Sequence, residues 1–138
     1  MAAHIKIDIR QYVATSAEKA YSDLCDWKGH ERWVPLTKIT VHSPLEFTAY
    51  TGLRPLVLKD RMRVIERNDD SRQVTLEKLG PVLTGTARFC VKKYGNNGCV
   101  VDWYENIEIP YLPGFLSSSL TAFTRRLFRY ALRRLARP

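Results

Sequence analysis

The sequence predicts an α+β fold in which a seven-stranded antiparallel sheet curls around one long C-terminal helix, with two short helices following the first strand. Three observations lead there. The amino terminus alternates apolar and polar residues, the stretch from Thr37 to Ile109 reads as six closely spaced strands, and the chain ends in a strongly amphipathic helical segment.

Ile5, Ile7, Ile9 and Val13 fall on one face of a period-two pattern and Lys6, Asp8 and Arg10 on the other, which makes the opening segment a half-buried strand ending near Val13. Thr15 or Ser16 then offers a hydroxyl to the free N–H groups of a helix start, and Glu18 is placed to close a capping box from Thr15. Ala17, Ala20, Tyr21 and Leu24 recur at helical spacing to about Asp26. Gly29 interrupts the helix, and a second helical turn from His30 to Val34 stops at Pro35.

Strands are expected at 37–42, 45–51, 57–67, 72–79, 84–94 and 99–109. Pro44, Asn68-Asp69-Asp70-Ser71, Gly80-Pro81 and Gly95-Asn96-Asn97-Gly98 separate them with turn chemistry, so consecutive strands should pair as antiparallel hairpins. The last helix is predicted over 114–136. At about 100° per residue, Leu120, Phe123, Leu127, Tyr130 and Ala131 lie within about 60° of Leu116 and form an apolar face. Arg125, Arg126, Arg129, Arg133 and Arg137 occupy an opposing arc, while Arg134 falls among the apolar positions. A curved sheet and a single helix seldom fill the space between them, so a cavity is expected there, partly closed by the short helices.

At 138 residues, with 45% hydrophobic and 26% charged residues, the chain is expected to form one domain over 1–138 with its own core. Three scattered cysteines without a CxxC pair do not make a disulfide framework or a zinc site. The amino terminus lacks the uninterrupted apolar run of a secretory signal, and no stretch is apolar enough to span a bilayer. The expected location is therefore cytoplasmic, with peripheral membrane contact as an option. Of the net charge of +8, six units come from arginines after Pro110, so the basicity is local. No RNP motif, zinc finger or helix-turn-helix accompanies it, and nucleic acid is not an expected partner.

The opening strand with Ala14-Thr15-Ser16-Ala17-Glu18-Lys19-Ala20-Tyr21, then Trp27 and Trp33-Val34-Pro35, and the late strand Val100-Val101-Asp102-Trp103-Tyr104-Glu105 together resemble the helix-grip superfamily. That superfamily includes polyketide cyclases and aromatase/dehydratases, START-related lipid-transfer domains and ubiquinone-binding proteins. The resemblance covers almost the whole chain. It implies a START-like fold and a small hydrophobic ligand (a lipid, a polyketide or an aromatic compound) held between the sheet and the terminal helix. It identifies fold better than activity.

If Asn96-Asn97-Gly98 is a three-residue loop with Gly98 at positive φ, Val91 lies opposite Trp103 and Phe89 opposite Glu105, with Trp103 and Glu105 facing inward. A carboxylate among Phe89, Val101 and Ile107 is desolvated and suited to proton transfer; alternatively it reaches solvent or pairs with an arginine. Leu58, Asp60, Met62 and Val64 share one strand face, which makes Asp60 a second inward carboxylate, able to divide acid and base roles with Glu105 or to form a salt bridge with an arginine. Glu105 and Asp60 are thus the candidate catalytic residues. Trp33, Met62, Phe89, Val91, Val101, Trp103, Ile107, Leu120, Phe123 and Leu127 are the expected ligand-contacting set. Trp103, Tyr104 or Glu105 would orient the ligand's polar end.

His30, beside Trp33, reads as a solvated helix histidine or a residue at the cavity mouth. Ser117 to Ser119 form no GxSxG elbow. No histidine spacing suits a metal, and no motif requires a cofactor. Arg125, Arg129 and Arg133 either form a solvated outer face or meet anionic headgroups, with Phe128 and Leu132 at the apolar edge. Three functions fit: binding or transfer of a hydrophobic ligand, a cyclase or dehydratase, and a docking module built on the arginine helix.

Overall fold

The computed structural model describes residues 2–53 and 55–135. The chain begins with strand β1 (Ala2–Val13), helices α1 (Ala17–Cys25) and α2 (His30–Trp33), and strands β2 (Thr37–Ser43), β3 (Glu46–Leu53) and β4 (Leu56–Asn68). Strands β5 (Gln73–Leu79), β6 (Thr84–Tyr94) and β7 (Gly98–Pro113) follow. A single 3₁₀ turn (Gly114–Leu116) then leads into α3 (Ser117–Arg134). The sheet order is β1-β7-β6-β5-β4-β3-β2, and every neighbouring pair is antiparallel. All seven strands, the two short helices and the terminal helix stand where the sequence patterns placed them. Ala136 and Arg137, which the sequence reading assigned to the last helix and its basic arc, lie outside the described residues.

The inner face follows strand parity. Ile5, Ile7, Ile9 and Val13 of β1 are buried, as are Val74 and Leu76 of β5 and Val101, Trp103 and Ile107 of β7. On α1, Ala17, Ala20, Tyr21 and Leu24 turn to the core, and Ser16 is the cap, its hydroxyl accepting from the Lys19 N–H at 3.1 Å. Glu18 closes no box with Thr15; its carboxylate pairs with Arg72 at 2.9 Å and Lys93 at 3.4 Å, which pins α1 to the far end of β6.

Two expectations are corrected. The β6–β7 register is Phe89↔Trp103 and Val91↔Val101, two residues from the predicted one. The loop residue at positive φ is Gly95 (69°), and Gly98 already pairs with Tyr94 at the base of the hairpin. Gly98 stays side-chain-free for another reason: a Cβ there would strike the ring and hydroxyl of Tyr12 on β1. A slip of two keeps every side chain on its predicted face, so inward Trp103 and Glu105 survive the error.

The second correction concerns α3. Phe123 is 59% exposed and Tyr130 49% exposed, whereas Leu132 is fully buried and Phe128 packs on the core. The inward stripe therefore runs through the half-buried Leu120, Thr124, Leu127 and Phe128 to the buried Ala131 and Leu132, rotated toward Phe128 from the predicted face. The cause is aromatic. Phe128 stacks on Trp103 at 5.0 Å between centroids, and Trp103 stacks on Phe89 at 5.5 Å, a three-ring column joining helix to sheet. Arg134, the one arginine on the apolar side, donates to the Arg32 carbonyl at 3.1 Å and ties the end of α3 to α2. β7 runs through Pro110 to Pro113, beyond its last pairing with β6 at Glu108, so a proline is tolerated on this edge-like stretch.

Candidate functional site

Between the concave face, α2 and α3 lies a cavity of about 160 Å³ with almost wholly apolar walls. The sheet supplies Ile5, Ile39, Phe47, Met62, Leu76, Trp103 and Ile107; α2 supplies His30 and Trp33; α3 supplies Thr124, Leu127 and Phe128. A surface groove along Val34–Lys38, Gly52, Leu53 and Arg134 adjoins the cavity and shares Val34 and Thr37 with it.

Of the expected contact set, Trp33, Met62, Trp103, Ile107 and Leu127 line this cavity. Phe89, Val91 and Val101 are buried but lie outside it. α1 packs against β6 and β7, and Tyr21 meets the Phe89 ring at 6.4 Å, so that end of the concave face is filled by helix. Leu120 packs on the core without reaching the cavity, and Phe123 faces outward. Tyr104 is on the outer face, its ring under the Arg88 guanidinium at 5.4 Å, so it orients nothing inside. Arg125 and Arg133 are exposed and Arg129 is half-buried. Among the described residues none of the three pairs with an acid.

The polar end of the cavity is a charged cluster. Asp60 of β4 and Glu105 of β7 both line it, and between them stands Lys78 of β5, with its side chain only 5% exposed. Lys78 Nζ lies 2.6 Å from Asp60 Oδ2 and 3.3 Å from Glu105 Oε1, and approaches Met62 Sδ at 3.2 Å. Trp103 Nε1 donates to Glu105 Oε2 at 3.0 Å. Burial raises the Asp60 carboxyl above its ordinary value; Lys78 opposes the shift and Glu105 reinforces it. Desolvation alone would lower the Lys78 ammonium, but the two carboxylates outweigh it and hold its pKa above the ordinary value.

One expected alternative for the inward carboxylates is pairing with an arginine. The partner is a lysine, shared by both acids. Its signal was present: Lys78 follows Val74 and Leu76 at period two, on the same face as two core residues. His30 is also corrected, from a solvated helix residue to one 7% exposed, enclosed by Trp27, Trp33 and Phe47. Its Nε2–H donates to the Leu24 carbonyl at 2.7 Å, and burial pushes the imidazole down to about 4, so it is neutral at physiological pH. Among the described residues no group of three His, Cys, Asp or Glu side chains is placed to hold a metal, and no helix is long and apolar enough to cross a membrane.

A long terminal helix held against a seven-stranded antiparallel sheet, with a cavity between them, is an arrangement found in solved structures. A START superfamily protein from Mycobacterium smegmatis matches at a TM-score of 0.80 and 16% identity, over 94% of both chains. The chain has the START-like helix-grip fold. Norcoclaurine synthase from Thalictrum flavum shares this fold at a TM-score of 0.70 and 12% identity, covering 99% of this chain and 96% of that one. So does the Zhui aromatase/cyclase from Streptomyces sp. R1128, at 0.67 and 12%, covering 96% and 87%. No protein-family model and no curated protein matches the sequence. At these identities the likeness is one of START-like fold, and the site's chemistry has to be argued from its own residues.

Proposed function

We propose that this protein binds a compact, mostly apolar molecule of about one aromatic ring in the cavity between the sheet and α3. The observation that carries the reading is the cavity itself: about 160 Å³, walled by aromatic and aliphatic side chains, with polar groups gathered at Asp60, Lys78 and Glu105. An engineered cavity of about 150 Å³ in another protein holds benzene, which sets the scale. Within the class of hydrophobic ligands that the fold accommodates, a single-ring molecule suits this volume and a long-chain lipid does not. Burying about 170 Å² of apolar surface at ~25 cal/mol per Å² yields roughly 4 kcal/mol, a Kd on the order of 1 mM for an unadorned ring.

Calorimetric titration with toluene tests this directly, with native mass spectrometry of freshly purified protein as a second readout. Saturable toluene binding supports the reading. Absence of binding by toluene and by phenol alike, or a co-purifying long-chain lipid, defeats it.

The charged cluster favours a second reading, an enzyme of the cyclase or dehydratase kind. Burial and the nearby Glu105 raise the Asp60 carboxyl as a proton donor requires, and Lys78 stands beside it to stabilise the charge left behind. Turnover of a cavity-sized hydroxy-ketone to its dehydrated product, abolished in Asp60→Asn with the fold intact, would establish it. Equal rates in the two proteins would remove Asp60 from any catalytic role.

A further inference from the structure

We infer that the polar end of the cavity receives a neutral hydroxyl, so that the ligand is a one-ring hydroxy-aromatic or an alcohol of that size. The inference rests on the reading of the cavity as a binding site and names the chemistry that site selects.

The hydrogen-bond inventory of the charged cluster is one partner short. Glu105 is satisfied on both oxygens, by Trp103 Nε1 and by Lys78 Nζ. Lys78 Nζ donates to Asp60 Oδ2 and Met62 Sδ and is ion-paired with Glu105 Oε1. Asp60 Oδ1 is buried with no partner, and so is Trp33 Nε1; they are the two such side-chain atoms among the described residues. Both residues line the cavity. Native proteins rarely leave a buried acceptor or donor unmatched, and here one of each belongs to a residue that lines the same ring-sized space.

The chemistry of the missing partner follows from charge. A methyl group satisfies neither atom. A carboxylate would set a second negative charge against Asp60 Oδ1. An ammonium would stand on one oxygen of a carboxylate whose other oxygen already holds Lys78 Nζ at 2.6 Å, placing two like charges a few ångströms apart in an apolar cavity. A hydroxyl carries one hydrogen and two lone pairs. It donates to Asp60 as the carboxylate, accepts from it as the acid, and can accept from an indole N–H. Most of the remaining wall is apolar and matches a ring.

The test compares phenol with toluene, which differ little in size, and adds benzylamine and benzoate as cation and anion, all by isothermal titration calorimetry. Phenol is expected to bind about tenfold tighter than toluene, and both charged probes more weakly than phenol. In Asp60→Leu, which leaves Lys78 paired one-to-one with Glu105, the phenol preference should fall to within about twofold of toluene while toluene binding persists. Trp33→Phe keeps a ring and removes the N–H; it should narrow the preference by about threefold, and it stands alone if Asp60→Leu does not fold. Toluene binding as tightly as phenol, a charged probe binding more tightly than phenol, or a preference unchanged in both variants overturns the inference while leaving the cavity reading in place. Binding of neither phenol nor toluene overturns the cavity reading, and the inference with it.

Discussion

Replacing Lys78 by methionine removes the one cation between two buried carboxylates and keeps a flexible apolar side chain of similar length. At an effective dielectric of about 20, an ammonium interacts with charges at the observed 2.6 and 3.3 Å by roughly 6 and 5 kcal/mol. Much of that sum is offset by the desolvation of the ammonium, so the expected net loss on truncation is about 3–5 kcal/mol, the usual cost of stranding a buried charge. Against a typical domain stability of about 5–15 kcal/mol this is severe but survivable.

The loss should depend on pH in a definite direction. Without Lys78, Asp60 and Glu105 face each other uncompensated, and the folded protein can relieve this by binding a proton that the unfolded chain, titrating near 3.9, does not hold. A carboxyl raised in the folded state gains stability as pH falls toward that value and loses it as pH rises. The deficit of Lys78→Met relative to the parent, from urea midpoints, should therefore be smaller at pH 5 than at pH 8 by about 1.5 kcal/mol or more. A second variant, Lys78→Met with Asp60→Leu and Glu105→Gln, replaces the whole cluster and should recover most of the loss. A deficit under about 1 kcal/mol at pH 8, or one of equal size at both pH values, would refute the argument that Lys78 compensates the two buried acids.

His30 gives a slope of the opposite sign. Its folded pKa of about 4 lies below the unfolded value near 6.5, so the unfolded state binds the extra proton in that window and the parent loses up to about 3 kcal/mol between pH 6.5 and 4; His30→Gln should flatten this part of the urea stability profile, and an unchanged slope would clear His30 of the effect. Phe128→Ala breaks the Phe89–Trp103–Phe128 column and widens the cavity from the helix side. It should cost about 2–3 kcal/mol, below the range for fully buried phenylalanine, and admit naphthalene where the parent admits only toluene; calorimetry with both hydrocarbons measures it.

The sequence by itself determined which side of β1, β4 and β7 faces inward, and with it the placement of Asp60, Trp103 and Glu105, because the period of a strand is two and a side chain has only two faces to choose between. Even the register error between β6 and β7 left them inside, since a slip of two preserves parity. Lys78 was legible on the same principle, beside Val74 and Leu76, though a lysine reads as solvent-facing until its acidic neighbours are known to converge on it from β4 and β7. That convergence is a tertiary fact: Asp60, Lys78 and Glu105 are far apart in sequence, and the distances among them follow from three registers and a bulge in β4. The azimuth of α3 belonged to the tertiary structure as well. A helix face is continuous, so Phe123 and Phe128 flank the same stripe of leucines, and the choice between them fell to the ring of Trp103, which only Phe128 can meet across the sheet. The cavity volume was the least legible quantity of all. It is what remains after every neighbouring side chain has been placed, and a difference between large packed volumes cannot be read from any segment alone.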